Sequence, residues 1–359
     1  MKKFFLSILL STLSISVNAQ NMENPNLNTS LAPVENLNLT QEWDKVFPKS
    51  DKVDHQKVTF VNRYGITLAA DMYIPKKATG KIPAIAVSGP FGAVKEQSSG
   101  LYAQQLAERG FLTLALDPSF TGESGGEPRR VASPDINTED FSAAVDFLSV
   151  QDNVDPERIG ILGVCGWGGI AIQAAINDPR IKATVASTMY DMTRVHANGY
   201  NDSEDSAEMR NAKRKAIAEL RTENYRTGKY GRDGGLIDPL PEDAPQFVKE
   251  YHDYYKTPRG FHPRSGNSTD GWNTTGLASF INFKFFEYAD ELESAVMIVH
   301  GENAHSLYFG EDTFKKLKGD NKEMLIIADA NHVDLYDNLE KIPFDQIATF
   351  FRRWMNINQ

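Results

Sequence analysis

The chain has 359 residues, of which 41% are hydrophobic and 24% are charged, a composition typical of a globular protein built as one domain with an insert. Its formal net charge of −10 argues against binding to nucleic acid or to anionic membranes. Cys165 is the only cysteine, so an intrachain disulfide is excluded.

Residues 1–19 have the pattern of a secretory signal peptide. Lys2 and Lys3 precede an apolar stretch that is too short to span a bilayer comfortably, and small residues follow in an A-x-A-like cleavage site. An uncleaved membrane anchor is the competing interpretation. We expect cleavage before Gln20 and a mature net charge of −12, because the two lysines leave with the peptide. The mature protein should be periplasmic or secreted, with no membrane association.

Residues 20–52 are predicted to form a flexible lead-in, because Asn, Pro and Ser are frequent in their first half and apolar periodicity is weak. Residues 58–65 and 66–74 alternate in polarity and meet at a turn, which predicts a β-hairpin. The next segments alternate between two kinds of pattern: strand 81–88, helix 101–109, strand 111–116 and helix 138–150. This alternation predicts a mostly parallel sheet with helices on both faces.

The stretch from residue 158 to 175 holds the candidate nucleophile. An apolar run ends at Gly163, Cys165 follows among glycines, and a small-residue helical pattern comes next. This strand, turn and helix match the nucleophile elbow G-x-S-x-G, in which the residue after the nucleophile donates its N–H to the oxyanion hole. Cys165 would be the nucleophile and Gly166 the donor, with a neighbouring imidazole favouring the thiolate.

Trp167 departs from the elbow motif. It stands where the motif has its second glycine, and a bulky side chain there should crowd the helix against a neighbouring strand. The alternative interpretation is that Cys165 is a buried structural cysteine in an ordinary turn.

With this elbow, the chain from about Val58 to the C-terminus resembles the α/β-hydrolases. Its G-x-C motif is most similar to that of the dienelactone hydrolases and their exported bacterial relatives. The resemblance implies a second oxyanion donor in the loop after strand 81–88. Because Pro90 has no N–H, the donor would be Phe91 or Gly92, and we choose Phe91.

The alternation of strands and helices stops after a strand over residues 181–188. Residues 190–294 contain amphipathic helical pieces and many aromatic residues, and in the α/β-hydrolases an insert at this place is a cap over the active site. The core is therefore assigned to residues 53–189 and 295–359. Most of the aromatic residues should form the cap's own core, and some should line an apolar pocket for a small-molecule substrate.

The acid of the catalytic triad is where this chain departs from the family pattern. After the strand over residues 295–301 the family usually has an aspartate that orients the catalytic histidine, but that position is Ala304 here. Glu302 is the nearest carboxylate and our first choice. Asp191, just past the preceding strand, is the alternative, since the role needs an anion at hydrogen-bond distance rather than a fixed chain position.

His332 is the candidate base. It lies in the loop after the last predicted strand, 322–328, and completes the order nucleophile, acid, base. His305 is the only serious rival for this role. No two histidines have helix spacing with a carboxylate, so we expect no metal site. We also expect no cofactor.

These residues predict a hydrolase of esters, thioesters or lactones. Cys165 would form an acyl-enzyme, and His332 would then activate water to release the acyl group. A catalytically weak or inactive binding protein that kept the fold is the alternative hypothesis, favoured by Trp167 and Ala304. The oligomeric state is not determined by these patterns.

Overall fold

The structure is a computed structural model that describes residues 32–357. The predicted signal peptide, 1–19, and the start of the lead-in lie outside the described residues. No helix within residues 32–357 is both long enough and apolar enough to cross a membrane.

The strands are mostly buried segments that match the predicted alternation. In the described part of the chain they are β1 (Val53–Val61), β2 (Thr67–Pro75), β3 (Ile82–Ser88), β4 (Leu112–Leu116), β5 (Val154–Val164), β6 (Ile181–Ser187), β7 (Arg232–Asp233), β8 (Trp272–Asn273), β9 (Ala295–Gly301) and β10 (Lys322–Ile327). Eight of them form one sheet in the order β1-β2-β4-β3-β5-β6-β9-β10, and β7 pairs with β8 separately. In the large sheet the β1–β2 and β2–β4 pairs are antiparallel and the other five pairs are parallel, so the predicted, mostly parallel sheet is confirmed.

The helices described between residues 32 and 357 are α1 (Ser98–Ala107), α2 (Pro134–Ser149), α3 (Gly166–Asn177), α4 (Met192–Asn198), α5 (Ala207–Thr227), α6 (Gln246–Tyr255), α7 (Ala278–Asn282), α8 (Leu307–Lys316), α9 (Asp334–Asp337) and α10 (Phe344–Trp354). Helix α2 begins four residues before its predicted start at residue 138. Ser133 accepts a hydrogen bond from the N–H of Ile136, and Pro134 occupies the first turn, where its missing N–H costs nothing.

Helices cover both faces of the sheet. Gly160 and Gly163 are three residues apart on β5, so they face opposite sides. A Cβ atom on Gly160 would lie 2.7 Å from the ring of Phe351 in α10, whereas one on Gly163 would lie 1.9 Å from the carbonyl oxygen of Trp167 in α3. The predicted layers are therefore present, and glycine at both positions lets the helices pack closely.

The lead-in is not flexible where it meets the core. Residues 32–52 contain no helix or strand, yet Phe47 is buried and Lys45 forms a buried ion pair with Asp71 of β2 at 2.8 Å. Asp44 pairs with Arg264 of the insert at 2.7 Å. The prediction of a flexible segment is wrong for residues 43–47, because an irregular backbone can still be fixed by buried charges.

The insert between β6 and β9 packs over the carboxyl edge of the sheet. Its longest helix, α5, has no buried residue. By contrast, α6 buries Tyr254 and Tyr255, which pack edge-on against Tyr336 of α9 at ring distances of 5.1 and 6.1 Å. The aromatic residues of the insert thus join it to the core beside the elbow.

Candidate active site

Cys165 stands at the apex of a tight turn between β5 and α3. Its backbone φ is 58°, a left-handed value that is strained for a residue with a side chain. The turn is held by hydrogen bonds from the Cys165 N–H to the Ser187 carbonyl oxygen and from the Gly168 N–H to the Cys165 carbonyl oxygen, both at 2.9 Å. This is the strand, turn and helix geometry predicted for a nucleophile elbow.

Trp167 fits into the elbow because Gly89 leaves room for it. A Cβ atom on Gly89 would lie 2.8 Å from the Cβ of Trp167, so only glycine permits this approach. The indole is buried and packs edge-on against Phe141 of α2, with ring centroids 5.3 Å apart. The expected crowding is therefore avoided by a glycine on the preceding loop and by the space between α2 and α3.

The two proposed oxyanion donors lie side by side at the elbow. A Cβ atom on Gly166 would lie 2.8 Å from the Cβ of Phe91, and Phe91 lines the same cavity as Cys165. The loop of Phe91 is held from the insert, since Asn267 donates to the Phe91 carbonyl oxygen at 2.7 Å and the Phe91 ring stacks on Trp272 with centroids 5.0 Å apart. Two N–H groups at the nucleophile can stabilise the oxyanion that forms during acyl transfer.

The thiol is neutral in this environment. Burial raises the pKa of Cys165 above its ordinary value, although hydrogen bonds from Tyr336, the two backbone N–H groups and Tyr251 oppose this effect. The expected imidazole is not among these hydrogen-bond partners. The resting state therefore lacks the thiolate that the sequence led us to expect.

His332 is hydrogen-bonded to Tyr336 rather than to Cys165. Its Nε2 is 3.1 Å from the hydroxyl of Tyr336, a residue that lines the same cavity as Cys165. On the other side of the ring, Nδ1 lies 2.6 Å from Ser306 Oγ and 2.9 Å from Thr188 Oγ1. Burial lowers the pKa of His332 well below its ordinary value, as do His305 and His300, so the imidazole is neutral.

Neither predicted carboxylate is hydrogen-bonded to His332, which corrects both acid assignments for this geometry. Glu302 is exposed, and its carboxylate accepts from the N–H of Asp329 at 3.2 Å. Asp191 caps α4 and accepts from the N–H groups of Thr193 and Arg194, both at 3.0 Å. Each carboxylate satisfies nearby backbone donors, and hydroxyl groups take the place of the acid at the imidazole.

The rival base, His305, has a different environment. Its Nε2 is hydrogen-bonded to the Tyr190 hydroxyl, and its ring stacks on Phe247 with centroids 4.4 Å apart. Burial lowers the pKa of His305 to about 4. His305 thus contacts Tyr190, whereas His332 contacts Tyr336, and both tyrosines line the cavity with Cys165.

A cavity of about 500 Å³ opens onto Cys165. Most of its lining is aromatic or aliphatic: Phe91, Tyr190, Met192, Val195, Tyr200, Leu236, Tyr251, Tyr255, Trp272, Leu277 and Tyr336. Glu204 is the one carboxylate among the described lining residues, and it is paired with Lys213 at 2.5 Å. Burial lowers the pKa of His196, another lining residue, to about 4. The cavity therefore presents a largely uncharged surface of the size that small ligands need.

A second charged cluster lies outside the cavity and is not an open metal site. The carboxylates of Glu96, Asp117 and Glu123 come close together, but the ammonium of Lys95 lies 2.7 Å from each of them. The ammonium group of Lys95 therefore occupies the space between the three carboxylates. We interpret the cluster as a structural ion-pair network.

Three side chains at the site were missed in the sequence: Thr188, Ser306 and Tyr336. Ser306 comes two residues after Ala304, the position at which the family usually has the acid, and Tyr336 comes four residues after His332. Both spacings were visible, yet hydroxyl residues are common in loops and neither spacing alone indicates a role.

The chain from residue 64 to 334 matches the family model described as X-Pro dipeptidyl-peptidase (S15 family). The chain belongs to the S15 peptidase family. The S15 designation suggests a serine nucleophile, whereas the apex of the elbow in this family member is Cys165. The family assignment supports a hydrolytic function, and the predicted dienelactone-hydrolase branch remains a prediction.

Known proteins similar to this S15 family member agree with the fold. PA2218 of Pseudomonas aeruginosa, an uncharacterised protein, is 56% identical over 317 residues, which cover 88% of this chain and 85% of that protein. Its crystal structure gives a TM-score of 0.87, covering 89% of this chain and 99% of the other. The structure of the α/β-hydrolase GrgF from Penicillium gives a TM-score of 0.67 at 20% sequence identity, and the match covers 85% of this chain and 100% of GrgF. At this level of identity the similarity confirms the fold alone.

Another similarity, to a fungal thiohydrolase, covers less than half of the chain. The thiohydrolase aneE of Aspergillus aculeatus is 34% identical over 137 residues, which are 38% of this chain and 42% of that enzyme.

Proposed function

We propose that this S15 family member hydrolyses uncharged carboxylic esters, thioesters or lactones through an acyl-enzyme on Cys165. One observation carries the proposal. Cys165 stands at a strained apex and opens into the cavity, and the two candidate oxyanion donors, Gly166 and Phe91, lie side by side there. A nucleophilic atom beside two oxyanion donors at the floor of an apolar cavity is what acyl transfer requires.

The reaction would proceed in two steps. In the first step His332 takes the thiol proton of Cys165 and the sulfur attacks the acyl carbon. The resulting oxyanion accepts hydrogen bonds from the N–H groups of Phe91 and Gly166, and His332 then gives its proton to the leaving alcohol or thiol. In the second step His332 removes a proton from water, which attacks the thioester carbonyl. The products are the free acid and the regenerated thiol.

Hydroxyl groups orient the base in this site. If His332 donates its Nδ1 proton to Ser306 or Thr188, Nε2 becomes the acceptor that the mechanism needs. A hydroxyl stabilises the imidazolium less than a carboxylate does. This weaker support suits esters and thioesters, whose leaving groups need less protonation than an amide nitrogen.

The cavity also argues against a peptide substrate with a free N-terminus. A dipeptidyl-peptidase acts on a chain whose terminal ammonium enters the site. Such a charge needs an acceptor, and a buried charge without a partner is costly. Among the described lining residues the one carboxylate, Glu204, is already paired with Lys213. We therefore place uncharged acyl groups above peptides, and the similarity to a thiohydrolase supports including thioesters.

Export belongs to the same proposal. Residues 1–19 would direct the chain out of the cytoplasm, and the mature protein would act in the periplasm or outside the cell.

A binding protein without turnover is the second candidate function. Burial raises the pKa of the Cys165 thiol, and Nε2 of His332 is hydrogen-bonded to Tyr336 rather than to the thiol, so the resting site holds no activated nucleophile. In this alternative the cavity binds an uncharged ligand and releases it unchanged.

Hydrolysis of acyl p-nitrophenyl esters and acyl thioesters of increasing chain length tests the proposal. Each should be cleaved by the wild-type protein, and a transient thioester on Cys165 should appear by intact mass. The Cys165→Ala variant is the control. Turnover that is equal in the two proteins, or ligand binding without turnover, would contradict the proposal and favour the second candidate.

A further inference from the structure

Three side chains beside the elbow form a chain of hydrogen bonds that ends at the cavity. Nε2 of His305 is hydrogen-bonded to the Tyr190 hydroxyl, and that hydroxyl lies 2.9 Å from the hydroxyl of Tyr251. Tyr190 is fixed against the turn of the nucleophile, because its backbone N–H donates to the Cys165 carbonyl oxygen at 3.1 Å. Tyr190 and Tyr251 both line the cavity with Cys165. The chain therefore leads from an imidazole to the place where a substrate would bind.

We propose that the Tyr251 hydroxyl donates a hydrogen bond to the leaving-group oxygen of the substrate during acylation. Tyr190 and His305 are positioning residues that turn this hydroxyl toward the substrate and polarise it. The inference rests on the proposed function, since it assigns a further residue to the same acyl-transfer step. Tyr251 keeps its proton throughout. As the S–C bond forms and the C–O bond of the ester breaks, the leaving oxygen takes its proton from His332.

The surroundings of His305 determine which of its nitrogens carries the proton. Burial lowers the pKa of His305 to about 4, so the imidazole is neutral and has one N–H. Its Nδ1 is buried and has no hydrogen-bond partner among the residues that the structure describes. A proton on Nδ1 would leave a buried donor unpaired, whereas a proton on Nε2 is donated to the Tyr190 oxygen. The tautomer with the proton on Nε2 is therefore favoured.

Donation from His305 gives the chain one direction. The Tyr190 oxygen accepts the Nε2 proton, so its own O–H donates onward. Of the two hydroxyls within reach, Tyr251 at 2.9 Å is a better acceptor than Tyr200 at 3.5 Å. Tyr251 then accepts from Tyr190, and its own proton is left for an acceptor in the cavity. Hydrogen bonds joined in this sense polarise one another, which makes Tyr251 a stronger donor.

The groups of the chain are held in the state that donation needs. Burial raises the pKa of Tyr190 and of Tyr251 well above the ordinary value, so both phenols keep their protons at neutral pH. The ring of Phe247 stacks on His305 with centroids 4.4 Å apart, which restrains the plane of the imidazole. Tyr251 can therefore act as a hydrogen-bond donor without any change of charge.

The position of Tyr251 favours the leaving-group oxygen over the carbonyl oxygen. The carbonyl oxygen already has candidate donors in Phe91 and Gly166 at the elbow. The Tyr251 ring lies 5.4 Å from the ring of His332, the group that protonates the leaving oxygen in the proposed reaction. A donor on this side stabilises the negative charge that develops on the leaving oxygen. This help matters most for a weakly acidic alcohol, because hydroxyl groups rather than a carboxylate contact His332.

The dependence of hydrolysis on the leaving group tests the inference. A series of esters would share one acyl group and carry leaving alcohols of decreasing acidity: p-nitrophenol, phenol, trifluoroethanol and ethanol. The ratio kcat/KM, which reports acylation, would be measured for the wild type, Tyr251→Phe, Tyr190→Phe, His305→Leu and His305→Gln. Thermal unfolding of each variant verifies that the fold is retained.

Tyr254→Phe is the matched control. Tyr254 lies on the same helix as Tyr251, and its hydroxyl is buried and has no hydrogen-bond partner within the described part of the chain. Unlike Tyr251, it is not among the residues that line the cavity. Tyr254→Phe should therefore match the wild type with every ester.

Tyr251→Phe should lower kcat/KM about thirtyfold for the ethyl ester and less than about twofold for the p-nitrophenyl ester, because a hydrogen bond contributes more as charge on its acceptor grows. Tyr190→Phe and His305→Leu should show the same pattern with a loss of about fivefold for the ethyl ester, since each removes only the polarisation of Tyr251. His305→Gln should stay near the wild type, because its amide N–H can donate to Tyr190 in place of Nε2.

Three results would overturn the inference. An equal loss in Tyr251→Phe with all four esters would place its hydroxyl on the carbonyl oxygen or in substrate binding. Full activity of Tyr251→Phe on the ethyl ester would remove this hydroxyl from the reaction. Loss of all activity in a folded His305→Gln protein would identify His305 as the base rather than as a positioning residue.

Cys165→Ala, measured with the same esters, separates the two proposals. Hydrolysis that needs Cys165 but responds to Tyr251→Phe equally for every leaving group refutes the role of Tyr251 alone. Hydrolysis that is independent of Cys165, or absent for the whole series, refutes the proposed function and the role of Tyr251 with it.

Discussion

The hydroxyl oxygen of Ser306 lies 2.6 Å from Nδ1 of His332, at the place where the sequence led us to expect a carboxylate. Thr188 makes a second contact with the same nitrogen at 2.9 Å. The imidazole is therefore oriented by two neutral groups that come from separate loops. This arrangement fixes the ring without placing a charge beside it.

The role of Ser306 can be measured by substitution. A hydrogen bond to a charged group contributes about 1.5–3 kcal/mol. Since Thr188 retains part of the orientation, Ser306→Ala should lower kcat on a p-nitrophenyl ester about tenfold. This loss is much smaller than the roughly 10⁴-fold loss known for the carboxylate of a serine-protease triad.

Glu302→Gln is the matched control for Ser306→Ala. The Glu302 carboxylate is exposed and accepts a hydrogen bond from the N–H of Asp329, so the kcat of the Glu302→Gln variant should stay within about twofold of the wild type. A large loss in Glu302→Gln, with Ser306→Ala unaffected, would show that the loop rearranges during the reaction and restores the carboxylate to the base.

Cys165→Ala should abolish acyl hydrolysis and leave the free energy of unfolding nearly unchanged. The substitution removes only one sulfur atom, and alanine must adopt the same left-handed backbone as cysteine. Hydrolysis would be measured with the ester series and stability by thermal unfolding. Activity that survives in a well-folded Cys165→Ala protein would remove Cys165 from the mechanism.

The charged network around Lys95 predicts loss of stability in acid. Burial acts to raise the pKa of Glu123, but Lys95 and Lys57 outweigh it and lower this pKa to about 2, and the pKa of Asp71 is also lowered in the folded protein. A carboxylate whose folded pKa is lowered stabilises the fold above its unfolded pKa of about 4.3 for Glu, and this stabilisation is lost as the pH falls towards the folded value. The melting temperature should therefore decrease between about pH 4.5 and pH 2.

Glu123→Gln provides the comparison for the acid prediction. Glutamine cannot titrate, so this variant should be less stable at neutral pH and should lose less stability on acidification. The melting temperature of both proteins would be measured from pH 7 to pH 2.5. Equal pH dependence in the two proteins would mean that other carboxylates cause the acid sensitivity.

Export can be examined directly by mass spectrometry. Expressed with its full N-terminus, the protein should be recovered outside the cytoplasm with a mass that lacks residues 1–19 and begins at Gln20, either free or cyclised to pyroglutamate. Recovery of protein that retains residues 1–19 would contradict the periplasmic or secreted assignment.

The sequence by itself determined the elements whose signals are local. Strand and helix patterns and the glycines around Cys165 predicted the sheet and the elbow, and the position of His332 after the last strand makes it the proposed base. These features depend on neighbouring residues, such as the glycines that let α3 approach β5. Their physical causes are therefore visible in short stretches of the chain.

Only the tertiary structure decided what surrounds the imidazole and the thiol. Thr188, Ser306 and Tyr336 follow β6, β9 and β10, and the parallel sheet brings these three loops to one edge. Which side chains meet there depends on the direction each takes, and that direction is fixed by contacts hundreds of residues apart in the chain, such as the hydrogen bond between Tyr102 and Leu335. Glu302 and Asp191 lie close to the expected positions in the sequence, but each accepts hydrogen bonds from backbone N–H groups elsewhere, and hydroxyl groups contact the imidazole of His332 instead.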